Sequence, residues 1–465
     1  MPLNPALIED VLNTLLSSGG EFADIYYEDM SSRMLEAEGE AMERVSSGRE
    51  IGVGLRVVRN QVTRFGTTVD LTAESLLDLA RFLAAGSGPG EPIKVPSPKR
   101  APDGPLVPSE DPSSVSLEEK GALVLAALSA ARKFDNRVVQ AKTVYRDTQS
   151  RILVANSDGV LAEDYRAYGI FLVQVVVSDG EHMQVGYEPE GGTGGYEIFR
   201  SVDPEMIAQT AAARAITMLE APEAPSGRMT VVLASEAGGT MVHEAVGHGL
   251  EADLSGEGMS VYSGKLGEQV ASSLITVIDD PTLPGKRGSY NMDDEGVPAS
   301  RTVLVENGVL KSYMNDLISA RRDETVPTGN GRRQSFRHWP IPRMSNTIIL
   351  PGKDDPDAII RSVDRGLLVK KMGGGQVNTV TGDFVFEVSE GYILENGHVA
   401  GPVRGATLAG NGPEVLRSVD MVGSDLGFGL GTCGKDGQGV PVGDAQPTLR
   451  LPDIVVGGRD SGGTD

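Results

Sequence analysis

Cysteine occurs once in this chain, at Cys433, which excludes an intrachain disulfide. Aromatic residues are scarce too, at 5% of the composition, with one tryptophan, Trp339. Positive charge is short: 42 Lys and Arg stand against 65 Asp and Glu, a formal net charge of -23, and no Lys/Arg run stands out. Such a surface repels phosphate, so nucleic acid is not an expected partner. No apolar run has the length of a membrane span; the strongest, residues 169–177, is strand-sized, so no membrane partner is expected. Glu9 and Asp10 stand where a secretory signal would be basic and then apolar, and a cytoplasmic location is the expectation.

What is present is glycine, 59 residues of it, and a 39% hydrophobic content over 465 residues, enough for a sizeable core in two or three domains. So much glycine beside so few aromatics points to tight turns and β-rich folding. Asn4 and Pro5 read as the cap and first residue of a helix whose apolar positions are Ile8, Val11, Leu12 and Leu15. Ala23, Ile25 and Tyr27, then Ile51, Val53, Leu55 and Val57, alternate as half-buried strands do. Further helices are expected over residues 72–85, 116–133 and 203–219, and strands over 138–145, 151–155 and on to about 177. Residues 86–115 are rich in proline and read as an extended surface connection. Beyond a Pro/Gly boundary near residue 225, a short strand at 229–234 leads into a histidine-bearing segment with Ser235 as candidate cap. Two Asn-Gly turns, at Asn307 and Asn396, mark hairpins of one β-rich domain, with one short helix between them at Asp355 and Pro356. The expected class is α+β: an N-terminal α+β region (1–85 and 116–221, joined by the linker 86–115) and a β-rich C-terminal domain (228–465) carrying a short metal-binding helix.

The chemistry concentrates at residues 235–250, where two of the five histidines, His243 and His248, flank Glu244. Two neutral imidazoles suit Zn²⁺, and the carboxylate between them is placed to act as a base on water. Zinc peptidase helices usually space their histidines four apart; here the step is five. At about 3.6 residues per turn, positions five apart diverge by roughly 140° on an ideal helix. A shared metal therefore requires the helix to end or loosen, and Gly247 and Gly249 permit a terminus or a π-type turn. A catalytic zinc usually takes three protein ligands. Cys433, between glycines and near Lys435, which would favour its thiolate, is one candidate; Glu251 and Asp253 are the others. The plain alternatives are a small buried cysteine and a histidine pair without a metal. His338 sits in a basic and aromatic patch, residues 332–340, that reads either as a solvated loop with salt bridges or as a site for a substrate carboxylate or carbonyl. His182 and His398 lie by turns and receive no role, and Gly373, Gly374 and Gly375 lack the Lys-Ser/Thr of a phosphate loop.

Three stretches, MVHEAVGHGLEAD from Met241, GNGRRQSFRHWPIPRMSNT from Gly329 and GTCGKDGQGVPVGDAQPTLR from Gly431, resemble the TldD/PmbA metallopeptidase family. The resemblance implies a zinc peptidase site with Cys433 as the third ligand beside His243 and His248, and Glu244 as the catalytic base. It separates an active TldD-like subunit, which keeps the histidine-glutamate motif as this chain does, from a PmbA/TldE-like partner that lacks it. It also implies dimers, with such an inactive relative or with a second copy, enclosing a cavity for short or unfolded peptides; processing of leader peptides or degradation is the implied role. Cleavage of a small pseudopeptide in natural-product biosynthesis is an alternative. A non-catalytic regulatory subunit is the rival, and its mark, a degraded metal motif, is absent here. His338 is the candidate for substrate binding or oxyanion support.

Overall fold

The structure, a computed structural model, describes residues 3–86, 95, 99–100 and 108–458. The chain begins with the helix Pro5–Leu16, entered through Asn4, whose side chain accepts from the Ala6 N–H at 2.9 Å; Ile8, Val11, Leu12, Leu15 and Leu16 are its buried stripe. Strands Phe22–Glu38, Ala41–Arg59 and Val62–Thr68 follow, then the helix Ala73–Ala85. After the proline-rich stretch come the helix Leu117–Phe134, capped by Ser116, strands Val138–Asn156, Val160–Ser178 and Met183–Thr193, and the helix Pro204–Glu220.

These strands form one sheet. Phe22–Glu38 pairs with Ala41–Arg59 on one side and Val138–Asn156 on the other, so the proline-rich stretch does not divide the N-terminal region into two sheets. Most of that stretch lies outside the described residues. Where it is described it is not only a surface connection: Val95 is buried in the helical core, and Lys99–Arg100 pairs in parallel with Val160 and Leu161. Alternation explains the layering. Odd-numbered Ile25, Tyr27, Leu35 and Ala37 face the four helices, while Tyr26 on the opposite face packs against Met292 and Phe336 of the C-terminal region.

Among the described residues the C-terminal region holds two large sheets and a two-stranded one, in which Gly331–Arg332 pairs with Ile341–Pro342. Strands Arg365–Val377, Gly227–Leu233, Leu449–Gly457, Thr407–Asn411 and Asp383–Glu395 neighbour one another in that order, and the last pairs back with the first, closing a small barrel. A six-stranded sheet runs from Val309–Leu310 through Thr302–Glu306, Val277–Asp279, Asn346–Ile349 and Gln438–Gln446 to the edge strand Gly427–Lys435. The two Asn-Gly turns are present, with positive φ at Asn307, Gly308, Asn396 and Gly397. They belong to different sheets, and two helices lie between them, Leu317–Arg322 as well as Pro356–Arg361. Six residues are too few to show a periodicity, although Asp316 and Ser319 form a reciprocal capping box at the first of these. The fold is α+β with a β-rich C-terminal part. Among the described residues, no helix is long and apolar enough to cross a membrane.

The two regions are locked together by buried charge. Arg56 donates from Nε to Asp24 and from Nη2 to Glu295 at 2.6 Å each, and Arg166 donates to Asp294 at 2.7 Å. Close approach is part of the same contact, because a Cβ on Gly52 would lie 2.3 Å from the Phe336 ring. Arg56→Ala strands two buried carboxylates and is expected to cost about 3–5 kcal/mol of stability; a thermal melt with the transition unmoved would contradict the lock.

Candidate functional site

The barrel strand Gly227–Leu233 delivers the chain to the histidines. Ser235 opens a short 3-10 turn and caps nothing; the helix begins at Thr240 with Gly239 in the cap position. The capping acceptor comes from a distant strand, since Asp444 Oδ1 accepts from the Gly239 N–H at 2.9 Å. Glycine is required there, because a Cβ on Gly239 would stand 2.3 Å from the main-chain nitrogen of Ala445.

One ordinary turn then gives way to a π turn over His243–Gly247, closed by the His248 N–H donating to the His243 carbonyl, and a 3-10 turn follows at His248–Leu250. A five-residue ring brings residues five apart onto one face, and the two imidazole centroids lie 5.2 Å apart. The carbonyls that irregular turns leave over find side-chain donors: Tyr262 Oη donates to Ala245 O at 3.1 Å and Ser260 Oγ to Gly249 O at 2.5 Å. Met344 and Tyr262 press on the flanking glycines, and a Cβ on Gly247 would meet the Met344 sulfur at 1.9 Å. Gly247→Ala therefore overpacks a closed site; a loss of about 1–3 kcal/mol is expected, with metal retention falling alongside the melting temperature.

Cys433 reaches the same point from the edge strand Gly427–Lys435, its Sγ 3.4 Å from His248 Nε2. One donor atom each from His243, His248 and Cys433 lie within 4.8 Å of one another. Burial works against the thiolate, but the hydrogen bonds and charges of both histidines outweigh it and bring the thiol pKa down to about 5. His243 Nδ1 is buried with no hydrogen-bond partner. Two imidazoles and a thiolate are the donors that Zn²⁺ favours, and an orphaned imidazole nitrogen beside them fits a metal; the residues present suit the ion.

Glu251 and Asp253, the rival ligand candidates, are used otherwise. His248 Nδ1 donates to Glu251 Oε2 at 2.9 Å, which turns Nε2 toward Cys433, and Lys435 Nζ bonds Glu251 at 3.1 Å and Asp253 at 2.7 Å. Lys435 thus acts on these carboxylates and not on the thiol, whose pKa is set by the histidines. Burial opposes the Glu251 carboxylate, yet Lys435, His248 and Arg343 hold its pKa at about 2. Glu251→Gln removes the charge that orients His248 and is expected to weaken metal affinity about 10–100-fold, as read by competition with a chromophoric chelator; unchanged affinity would remove Glu251 from the site's support. Arg343, fully buried, donates to Cys433 O at 2.5 Å and Gln438 O at 3.2 Å and so holds the hairpin that carries the cysteine.

Glu244 projects into a cleft of about 530 Å³ lined also by His243, His248, Cys433, Gly375 and Gln376. Burial raises its pKa, against the lowering influence of the two histidines. The register slips between Met372 and Gly375, so the three glycines form an irregular strand segment whose last residue, Gly375, lines this cleft. His338 is elsewhere. Its Nδ1 lies 3.2 Å from Ser335 Oγ, and it lines a larger cavity that touches the metal cleft only at Thr432.

Family models described as PmbA/TldA metallopeptidase domain 1, central domain and C-terminal domain match residues 23–87, 110–219 and 226–458. A metalloprotease TldD homolog of Buchnera aphidicola is 38% identical over 456 residues, covering 94% of this chain and 93% of its own. A metalloprotease of Methanothermobacter thermautotrophicus is 40% identical over 440 residues, covering 94% and 96%. Among solved structures, a proposed modulator of a DNA gyrase from Thermotoga maritima shares the fold at a TM-score of 0.78 with 23% identity, covering 94% of this chain and 96% of that one. TldE from Thermococcus kodakarensis shares it at 0.77 with 19% identity, covering 97% and 99%. Matched along nearly its whole described length, this chain belongs to the PmbA/TldD metallopeptidase family.

Proposed function

We propose that this chain is a zinc-dependent peptidase that hydrolyses amide bonds of short or unfolded peptides. The observation that carries the reading is the convergence of His243, His248 and Cys433 donor atoms within 4.8 Å at the cleft that Glu244 also lines. Those three residues would hold zinc, which would supply Lewis acidity toward water and the scissile carbonyl. Glu244 accepts a proton from the attacking water and returns it to the leaving amine; burial and the raised pKa suit a group that must carry a proton in both directions. Glu251 keeps His248 in the tautomer that presents Nε2. Gly427–Lys435 is the edge strand of its sheet, and an extended peptide adding along it would lie beside Cys433 through main-chain hydrogen bonds, with little demand on sequence.

The working form is a dimer, with a PmbA/TldE-like partner or a second copy, that encloses the cleft and admits only short or unfolded chains; it acts in the cytoplasm. Copurification followed by digestion tests the reading. An unstructured peptide should be cleaved, a folded protein spared, and cleavage stopped by a chelator and restored by zinc. Cleavage that persists in protein shown to be free of metal would overturn it.

A further inference from the structure

The larger cavity, of about 750 Å³, lies between the even-numbered face of the N-terminal sheet and the C-terminal region, and it adjoins the metal cleft at Thr432. Its walls carry eight arginines against three carboxylates, in a chain of net charge -23. Some of this charge is matched: Arg33 pairs with Asp147, and Arg166 with Asp164 and Asp294. The rest is not. Arg332 is buried, and its guanidinium donates to the carbonyls of Met344 and Pro441. Arg287 donates to Gly431 O at 3.1 Å, and Arg146 contacts the Met34 sulfur at 3.2 Å. None of these three has a carboxylate within ion-pair distance among the described residues. Arg333 Nε, also buried, has no hydrogen-bond partner. Burial, joined by the nearby charges of Arg146 and Arg332, holds Arg287 below the usual arginine pKa.

Desolvated guanidinium groups without counter-charges are costly, and arginine forks are suited to carboxylate or phosphate. The other wall residues decide between these. Met30, Met34, Ile152 and Ile170 share this even-numbered face with Arg146 and Arg166, giving apolar footholds beside the cations, as an extended polypeptide with acidic side chains would need. A nucleic-acid strand would find two tyrosines, Tyr26 and Tyr168, for stacking and a strongly acidic molecule around it.

We propose that this cavity binds the Asp and Glu side chains of a peptide substrate, so that acidic segments are drawn in beside the metal cleft and cleaved in preference to neutral or basic ones. The inference rests on the peptidase reading for its catalytic half; its binding half stands apart. The test is equilibrium anisotropy with labelled, unstructured peptides of equal length that are rich in Glu, Gln or Lys, using full-length Glu244→Gln so that no turnover intervenes. The Glu-rich peptide should bind at least about tenfold more tightly than the Gln-rich one, the scale of one well-formed charge pair, and the difference should shrink with salt. The double variant Arg44→Ser/Arg146→Ser, changed at two exposed rim positions, should bring the two affinities together, and Arg287→Gln should do so from the deeper wall. Equal affinities for the three peptides would overturn the proposal. So would a Glu preference untouched by both variants, or a single-stranded oligonucleotide that binds more tightly than the Glu-rich peptide. Preferential binding without hydrolysis by the unsubstituted protein would count against the peptidase reading alone. Hydrolysis indifferent to peptide charge would count against this inference alone.

Discussion

Replacing Cys433 with alanine is expected to remove zinc and peptide hydrolysis together. The thiolate is one of three protein donors, and the other two are neutral imidazoles that must share the ion with water once the sulfur is gone. Loss of a partner one step removed from a metal costs roughly 10–100-fold in affinity, so loss of the donor itself should exceed that. The substitution leaves the main chain of the edge strand paired, and Arg343 still bonds the carbonyl of residue 433. Folding should therefore persist, with the metal-free melting temperature close to that of metal-free wild type. Chelator competition reads the affinity and a peptide assay reads the activity. A Cys433→Ala protein that keeps full zinc affinity would transfer the third position to another residue, and Glu251 would be the first to reconsider, despite its bonds to His248 and Lys435.

Glu244→Gln separates holding the metal from using it. The side chain is isosteric and lies outside the three-donor cluster, so zinc should remain bound. It can no longer take a proton from water, and hydrolysis should fall by about 10²–10⁴-fold, the usual contribution of a positioned acid–base group. The fall should appear in kcat more than in KM, because peptide binding along the edge strand does not involve this residue. Equal losses of zinc and activity would make Glu244 a structural support for the π turn instead.

The same residues show why some of this was legible before any coordinates and some was not. His243, Glu244 and His248 are close in sequence, so a metal shared by the two histidines requires a helix irregularity, and the flanking glycines indicate where it falls. Cys433 lies 185 residues from His248; spacing carries no information over that distance, and the family resemblance was needed to prefer it over a nearby carboxylate. Glu251 is a candidate by its proximity to the histidines, but proximity does not tell whether a carboxylate meets the metal or the far nitrogen of its ligand. The same holds for Lys435, which is near Cys433 in sequence and on Glu251 in space. Asp444, which caps the histidine helix from another strand, carried no local signal at all.

In the fold, the helices were clear because capping residues and a 3.6-residue stripe coincide, as at Asn4 and Ser116. The long strands were read in fragments, since the first ten residues of Ala41–Arg59 are largely exposed and show no apolar alternation. The pairing of Phe22–Glu38 with Val138–Asn156 is a long-range event with no trace in either segment, and it is what merges the regions before and after the proline-rich stretch into one sheet.

Metal analysis of the purified, unsubstituted protein bears most directly on the proposed site. One zinc per chain is expected, removable by a chelator with simultaneous loss of peptide hydrolysis and recovered with it when zinc is returned. Protein that is free of metal and still hydrolyses peptides, or that holds zinc equally well without His243, His248 and Cys433, would contradict it.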